Sequence, residues 1–362
     1  MGEKIKVLIV DDSAFARSAI ASKLGTDSVV EVVGQAKDGL DAIEKTKELR
    51  PDVVTLDVVM PRMDGLAALE RIMHECPTPV VMLSALTGKG ADATIKALEL
   101  GAVDFFLKPS IASPVGRDES TEELVRKIRV ASQVKVSTRR RDTRLRQPVA
   151  ASAKRARRQA NDFNKVVVIG SSTGGPQALN QLIPAIPGDI PALVLIVQHM
   201  PSGFTKSLAD RLDQLSHLDV REARSGDQVG PGMAFLAPGG YHMTVATKGE
   251  IQLDQGATEC GVRPSVNVTM ESAARVYGAS VVGVVLTGMG SDGTRGATLI
   301  KGAGGKVIVQ DEGTCAVYGM PASVVEAGKA DKVLPLPYIA DEIVQMCRER
   351  TARPRQRTKA RV

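Results

Sequence analysis

Lys165–Gly175 reads K-V-V-V-I-G-S-S-T-G-G, and its reading decides the half of the chain around it. Val166 to Ile169 is a β-branched run with no polar break, the pattern of a strand buried on both faces. Gly170 ends the run, and Pro176, Ala178 and Leu179 open a segment with helical spacing. The chain therefore turns sharply from strand to helix, with Ser172 on the turn. Residues 170–174 fit G-x-S-x-G, in which small residues let a serine hydroxyl project beside free helix N–H groups. Such groups stabilise an oxyanion or cradle a phosphate. On this stretch alone, a nucleophile and a nucleotide loop are equal readings.

An apolar run closed by polar residues recurs along the chain. Ala192–Val197 ends at Gln198-His199-Met200-Pro201, Ser280–Leu286 leads into T-G-M-G-S-D-G, and Lys306–Val309 is a further strand. Ala234–Ala237 leads into P-G-G-Y-H, inside an irregular middle of short strands and turns from Val220 to Leu253. Strand ends then carry Ser172, His199 and Asp292. A hydroxyl needs a base within hydrogen-bond reach, and the base needs an orienting carboxylate. His242 rivals His199 as that base, while His217 and Lys206 are weaker candidates. Asp311 rivals Asp292, which also suits a plain S-D-G turn. The order Ser, His, Asp, with the serine on the first strand, differs from the α/β-hydrolase order.

The first third repeats the pattern with a different set of end groups. Ile5–Val10 ends at Asp11-Asp12, Val53–Leu56 at Asp57, Val80–Leu83 at Ser84 and Val103–Leu107 at Lys108-Pro109, with a further strand at Val29–Val33. Helix-like segments alternate with these strands, Asp41–Leu49 among them, which predicts a parallel sheet covered on both faces. Ligands bind at the carboxyl ends of such sheets. Asp11, Asp12 and Asp57 converge there, and three like charges require a cation. Hard oxygen ligands suit Mg²⁺. Ser84 and Lys108 add a hydroxyl and a positive charge that would hold a phosphoryl oxygen.

With 362 residues the chain has room for two cores. Aromatics make up only 3% and Trp is absent, so those cores must be Val, Leu, Ile, Ala and Met. No apolar run approaches the ~20 residues of a membrane span, and the N-terminus, whose apolar run ends in acids, is not a signal peptide. The four cysteines have neither metal nor disulfide spacing, which suits a reducing cytoplasm. The net charge of +6 is unevenly spread. Arg126–Arg158 holds 13 bases and one acid, Arg348–Val362 holds 7 and one, and the remainder holds 27 bases against 39 acids. Without interleaved aromatics or a DNA-reading motif, the two basic segments read as a solvated linker and tail rather than a nucleic-acid site.

D-D at 11–12, L-D-V-V-M-P-R-M-D-G-L at 56–66, Ser84 and K-P at 108–109 resemble a response-regulator receiver over residues 4–125. The resemblance implies phosphorylation of Asp57 by a histidine kinase. It also implies Mg²⁺ on Asp11, Asp12, Asp57 and the Val59 carbonyl, Lys108 on the phosphoryl group, and Ser84 with Phe105 as the switch pair. Phe105 reads equally well as a core aromatic. Val59 departs from the polar or acidic residue common at that position.

G-S-S-T-G-G, Q-H-M-P-S-G-F-T, A-P-G-G-Y-H, R-P-S-V-N-V, L-T-G-M-G-S-D-G and V-Y-G-M-P, in that order, resemble the chemotaxis protein-glutamate methylesterase family over about residues 165–340. This implies Ser172 as nucleophile, His199 as general base and Asp292 as its orienter, with Thr173 and Met289 beside the oxyanion. The implied substrate is a glutamate γ-methyl ester on a methyl-accepting chemoreceptor, and some members also deamidate glutamines. No cofactor is implied for ester hydrolysis. The expected architecture is two doubly wound α/β domains, a flavodoxin-like receiver and then a Rossmann-like methylesterase domain. The expected bounds are 1–134 for the receiver, 135–161 for a flexible basic linker, 162–346 for the catalytic domain and 347–362 for the tail. A monomer in the cytoplasm, without nucleic acid or membrane insertion, is expected. A receiver-controlled hydrolase of another acyl substrate and a receiver-linked nucleotide- or DNA-binding module remain as alternatives.

Overall fold

A computed structural model of the chain describes residues 3–85, 88–108, 117–134, 136, 163–247 and 249–349. Pro109, the expected linker apart from Val136, and the tail from residue 350 onward lie outside the described residues.

The first sheet contains β1 (Ile5–Val10), β2 (Val30–Ala36), β3 (Val53–Asp57), β4 (Val80–Ser84) and β5 (Asp104–Leu107). They are ordered β2-β1-β3-β4-β5, and every pair is parallel. Helices α1 (Ala14–Leu24), α2 (Gly39–Leu49), α3 (Gly65–Glu75), α4 (Gly88–Leu100) and α5 (Arg117–Ser132) make the crossovers. Alternate residues of β1 feed different cores: Val7 and Ile9 join one apolar cluster, Leu8 and Val10 another. That is why the strand is apolar at every position rather than at every second one. β2 runs three residues past its apolar stretch because Gly34, Gln35 and Ala36 continue the pairing with β1. α2 starts two residues before the expected Asp41, since the Asp38 carboxylate accepts from the Leu40 and Asp41 amides and caps the helix there.

The second sheet is larger. It contains β6 (Lys165–Ser171), β7 (Ala192–Gln198), β8 (Asp219–Glu222), β9 (Met233–Leu236), β12 (Val281–Val285), β13 (Lys306–Gln310) and β14 (Lys332–Leu334), while β10 (His242–Ala246) and β11 (Glu250–Asp254) form a separate antiparallel hairpin. The sheet order is β14-β13-β12-β6-β7-β9-β8, parallel throughout. Its helices are α6 (Gly175–Leu182), α7 (Phe204–Leu215), α8 (Val266–Tyr277), α9 (Thr294–Gly302), α10 (Met320–Glu326) and α11 (Leu336–Arg348). β8 and β9 come from the irregular middle of the sequence. Each is only four residues long, too short for a periodic signal, yet they form the parallel edge of the sheet.

In both sheets the strand order reverses once, between β1 and β3 and between β6 and β12. The crevice at such a reversal is where a doubly wound sheet binds its ligand. Asp11 follows β1, Asp57 ends β3, and Ser172 follows β6. The two sheets meet through α4, which packs on α6 and α7. Ile95 and Leu98 of α4 belong to one continuous buried cluster with Leu179, Leu182, Phe204 and Leu208.

Candidate active site and phosphoacceptor

The ladder between β6 and β7 ends at the pair Ser171↔Gln198. Ser172 and His199 are the next residue on each strand, so neighbouring strands about 4.8 Å apart bring the hydroxyl and the imidazole to one edge. The Ser172 turn is anchored by its own N–H, which donates to the Thr287 carbonyl (3.0 Å) beyond β12, and by the Gly175 N–H, which donates back to the Ser172 carbonyl (2.8 Å). Two amides that a phosphate cradle would aim outward are thus used within the fold. Gly288 is needed for this approach, since a Cβ there would lie 2.8 Å from the Ser172 Cβ.

His199 Nε2 lies 2.8 Å from Asp292 Oδ2. Asp292 is not at a strand end as expected; it sits seven residues beyond β12, on the loop before α9. Its position is set by the start of α8. The Ser265 hydroxyl (2.9 Å) and the Asn267 amide (2.9 Å) donate to Oδ1, and the Val266 amide (2.7 Å) donates to Oδ2. The Asn267 side-chain oxygen also accepts from the Gly293 and Gly296 amides, 2.9 Å each, and so fastens the loop to α8. Burial opposes the charge on Asp292, but the His199 hydrogen bond and the α8 amides outweigh it and hold the carboxyl below its ordinary range. An ionised Asp292 only accepts, so the proton of a neutral His199 lies on Nε2 and the lone pair on Nδ1. Among the described residues no hydrogen bond joins the Ser172 hydroxyl to that ring; such contacts often tighten only around substrate.

A depressed carboxyl stabilises the fold above its unfolded pKa and loses that contribution as pH falls through its folded value. Asp292→Asn should therefore be less stable than the parent at pH 7, and the gap should close as pH falls below about 4. Urea midpoints of both proteins from pH 7 to pH 3 check this.

The rivals are otherwise engaged. His242 is buried at the start of β10, with Nε2 2.9 Å from the Ala257 carbonyl. His217 is exposed, Lys206 pairs with Asp210, and Asp311 caps the short turn at Thr314. Neither the Thr173 nor the Met289 N–H donates to another described group. The Met289 side chain is exposed and, with Val317, lines a cleft of about 840 Å³ against Lys23 of α1 and Val125 and Arg129 of α5. Ser265 and Asn267, the holders of Asp292, had not been read as functional, although S-V-N before an apolar helix is a recognisable helix-start signal.

At the first sheet, carboxylate oxygens of Asp11, Asp12 and Asp57 lie within 4.8 Å of one another. Lys108 Nζ bridges Asp11 (2.6 Å) and Asp57 (2.8 Å). Burial raises the Asp57 carboxyl, partly offset by Lys108. Burial would lower Lys108, but its contacts with Asp11 and Asp57 outweigh that and raise it. Three clustered oxygen donors with one ammonium suit a hard divalent cation. The Val59 side chain is exposed. Ser84 is not turned toward the carboxylates: its hydroxyl accepts from Thr94 of α4 (2.8 Å). Phe105 stacks on Phe204 of α7 with ring centroids 4.5 Å apart. It is buried, as its reading as a core aromatic implies, and the core it joins is shared with α7 on the second sheet.

That contact is part of a continuous seam. The Thr173 hydroxyl donates to Asp104 (2.7 Å), the Gln177 amide to the Ala102 carbonyl (3.0 Å), and Asn180 and Arg211 both reach Glu99. The turn that carries Ser172 is thus hydrogen-bonded to the sheet that carries Asp57.

Fold and site together define a response-regulator hydrolase, one α/β unit with a carboxylate–lysine edge seated on another with a hydroxyl–imidazole–carboxylate edge. Residues 7–114 match the family described as response regulator receiver domain, and residues 167–343 match that described as CheB methylesterase. The protein-glutamate methylesterase/protein-glutamine glutaminase of Symbiobacterium thermophilum is 51% identical over 94% of this chain and 96% of its own length. That of Pyrococcus horikoshii is 48% identical over 95% and 94%. The crystal structure of the Thermotoga maritima CheB methylesterase catalytic domain is 48% identical, with a TM-score of 0.49, over 51% of this chain and 98% of that one. This chain belongs to the protein-glutamate methylesterase/protein-glutamine glutaminase family, with a receiver domain in front of the methylesterase domain. No helix among the described residues is long and apolar enough to cross a membrane.

Proposed function

We propose that Ser172, His199 and Asp292 hydrolyse glutamate γ-methyl esters on a chemoreceptor, and that phosphorylation of Asp57 controls them. The observation that carries this reading is the His199–Asp292 hydrogen bond, anchored by α8 and set beside the Ser172 turn. Ser172 Oγ attacks the ester carbonyl carbon while its proton passes to His199 Nδ1. The Thr173 and Met289 amides face the developing oxyanion. Collapse expels the methoxy group, which takes the proton from His199 and leaves as methanol. Water, deprotonated by His199, then attacks the glutamyl–Ser172 ester and releases glutamate and the serine hydroxyl. The same steps on a glutamine side chain would expel ammonia in place of methanol.

On the receiver side, a histidine kinase supplies the phosphoryl group to Asp57. Asp11, Asp12, Asp57 and the Val59 carbonyl would hold Mg²⁺, which when bound neutralises charge on the transferring group. Lys108 would exchange its contact with Asp57 for one with a phosphoryl oxygen. Ser84 would turn from Thr94 toward the same group, and Phe105 would leave Phe204. The seam at Asp104 and Glu99 would then open over Ser172. We assign the receiver to 1–134, the linker to 135–161, the catalytic domain to 162–346 and the tail to 347–362, in a monomer that works in the cytoplasm. Methanol release from a methylated receptor fragment, beside a generic ester, tests the substrate. Faster turnover of the receptor ester is expected, and equal turnover of both would point to another acyl substrate.

A further inference from the structure

Gln198 takes no part in the chemistry written above, yet its side chain is almost wholly buried between the nucleophile and the base. Its Oε1 accepts from the Ser171 hydroxyl (2.7 Å). Its Nε2 donates to two backbone carbonyls, that of Ser172 (3.0 Å) and that of His199 (3.1 Å). The amide can lie only one way round. With oxygen and nitrogen exchanged, its oxygen would face two carbonyl oxygens. The paired ladder between β6 and β7 ends at Ser171 and Gln198; past it one backbone bond, from the His199 N–H to the Ser171 carbonyl (3.1 Å), crosses the strands, and this amide adds a link between the backbone of Ser172 and that of His199.

Space has been kept for it. Gly175 has no positive φ to require a glycine, but a Cβ there would lie 1.9 Å from the Gln198 oxygen and 2.9 Å from the Ser171 Cβ. Ser171, the neighbour of Ser172 in the same motif, is fully buried and points its hydroxyl at Gln198. We propose that Gln198, oriented by Ser171 and accommodated by Gly175, is a positioning residue that sets the separation between Ser172 and His199. This rests on the reading of those two as nucleophile and base. A positioned nucleophile and base lose activity steeply with displacement, on the order of a hundredfold for about 1 Å. Loss of the amide should therefore act on turnover rather than on substrate binding.

The test uses the whole chain, phosphorylated with acetyl phosphate and Mg²⁺, and reads methanol release from a methylated receptor fragment. The rate at which a fluorophosphonate labels the protein is read in parallel. Gln198→Met keeps the volume and removes all three hydrogen bonds. It should lower kcat by about 30- to 100-fold with KM within about twofold, and slow labelling by a similar factor. Ser171→Ala removes the bond that fixes the amide oxygen and should cost about tenfold; added to Gln198→Met it should cost nothing more, as coupled residues do. If Gln198→Met does not fold, Gly175→Ala, which pushes the amide aside without removing it, should show the same kcat and labelling losses. Folded variants with kcat and labelling within threefold of the parent, a change confined to KM, or additive losses from Ser171 and Gln198 would overturn the proposal. Ser172→Ala is run alongside: if it still releases methanol, the nucleophile reading itself has failed, whereas an inactive Ser172→Ala beside an unaffected Gln198→Met sinks only the positioning role.

Discussion

Ser172→Ala is expected to abolish methanol release from a methylated receptor, with a loss of about 10,000-fold or more, while Ser171→Ala keeps about a tenth of the parent rate. The two serines are adjacent in G-S-S-T-G-G, but the fold gives them opposite surroundings. Ser171 is the last residue of β6, fully buried, with its hydroxyl held by Gln198. Ser172 lies one residue beyond the ladder, partly exposed, and no described group holds its hydroxyl. A buried hydroxyl already donating to an amide has no path to a receptor ester. Steady-state kinetics of both variants, with circular dichroism to verify folding, checks this; a dead Ser171→Ala beside an active Ser172→Ala would move the nucleophile.

The second large effect concerns the seam. Glu99 of α4 is mostly buried, with 12% of its side chain exposed, and binds Arg211 of α7 while also reaching Asn180 of α6. Lys96 Nζ also lies 3.6 Å from its carboxylate, so reversing its charge places three cations together where ion pairs stood, and like charges across an interface cost several kcal/mol. Each ~1.4 kcal/mol taken from the closed arrangement changes the open-to-closed ratio about tenfold. Glu99→Lys should therefore raise the unphosphorylated rate by about 10- to 100-fold, up to the level of the phosphorylated parent, and leave little further stimulation. Adding Arg211→Glu restores an ion pair of opposite sense and should bring the basal rate back down. Initial rates of the parent, both single variants and the double variant decide the matter, because a merely destabilised fold would not be rescued by a second charge reversal.

The parallel sheets were legible because strands buried on both faces leave uninterrupted apolar runs, and because ligand-binding sheets end those runs in polar residues. Asp57, Lys108, Ser172 and His199 all follow from that pattern. Asp292 was legible from its motif, but its true support was not. The amides of Val266 and Asn267 come from a helix start, 26 and 25 residues earlier, which nothing local to S-D-G announces. The seam was least legible. Glu99, Asp104, Arg211 and Phe204 look like ordinary helix and strand residues, and only the packing of α4 on α6 and α7 turns them into partners. Ser84 was legible from its strand end, and Phe105 from the receiver pattern or as a core aromatic, but their partners Thr94 and Phe204 lie on helices, one of them packed on the other sheet. β9 was legible, one residue late, as the apolar run Ala234–Ala237; β8 escaped because a four-residue strand such as D-V-R-E is shorter than any periodicity can resolve.

The control of Ser172 by Asp57 is tested most directly by methanol release from a methylated receptor fragment. The whole chain and Asp57→Asn are each measured with and without acetyl phosphate and Mg²⁺. The parent should release methanol slowly alone and at least tenfold faster after phosphorylation, and Asp57→Asn should stay at the slow rate in both conditions. Equal rates for the parent with and without phosphorylation, or stimulation that survives in Asp57→Asn, would contradict it.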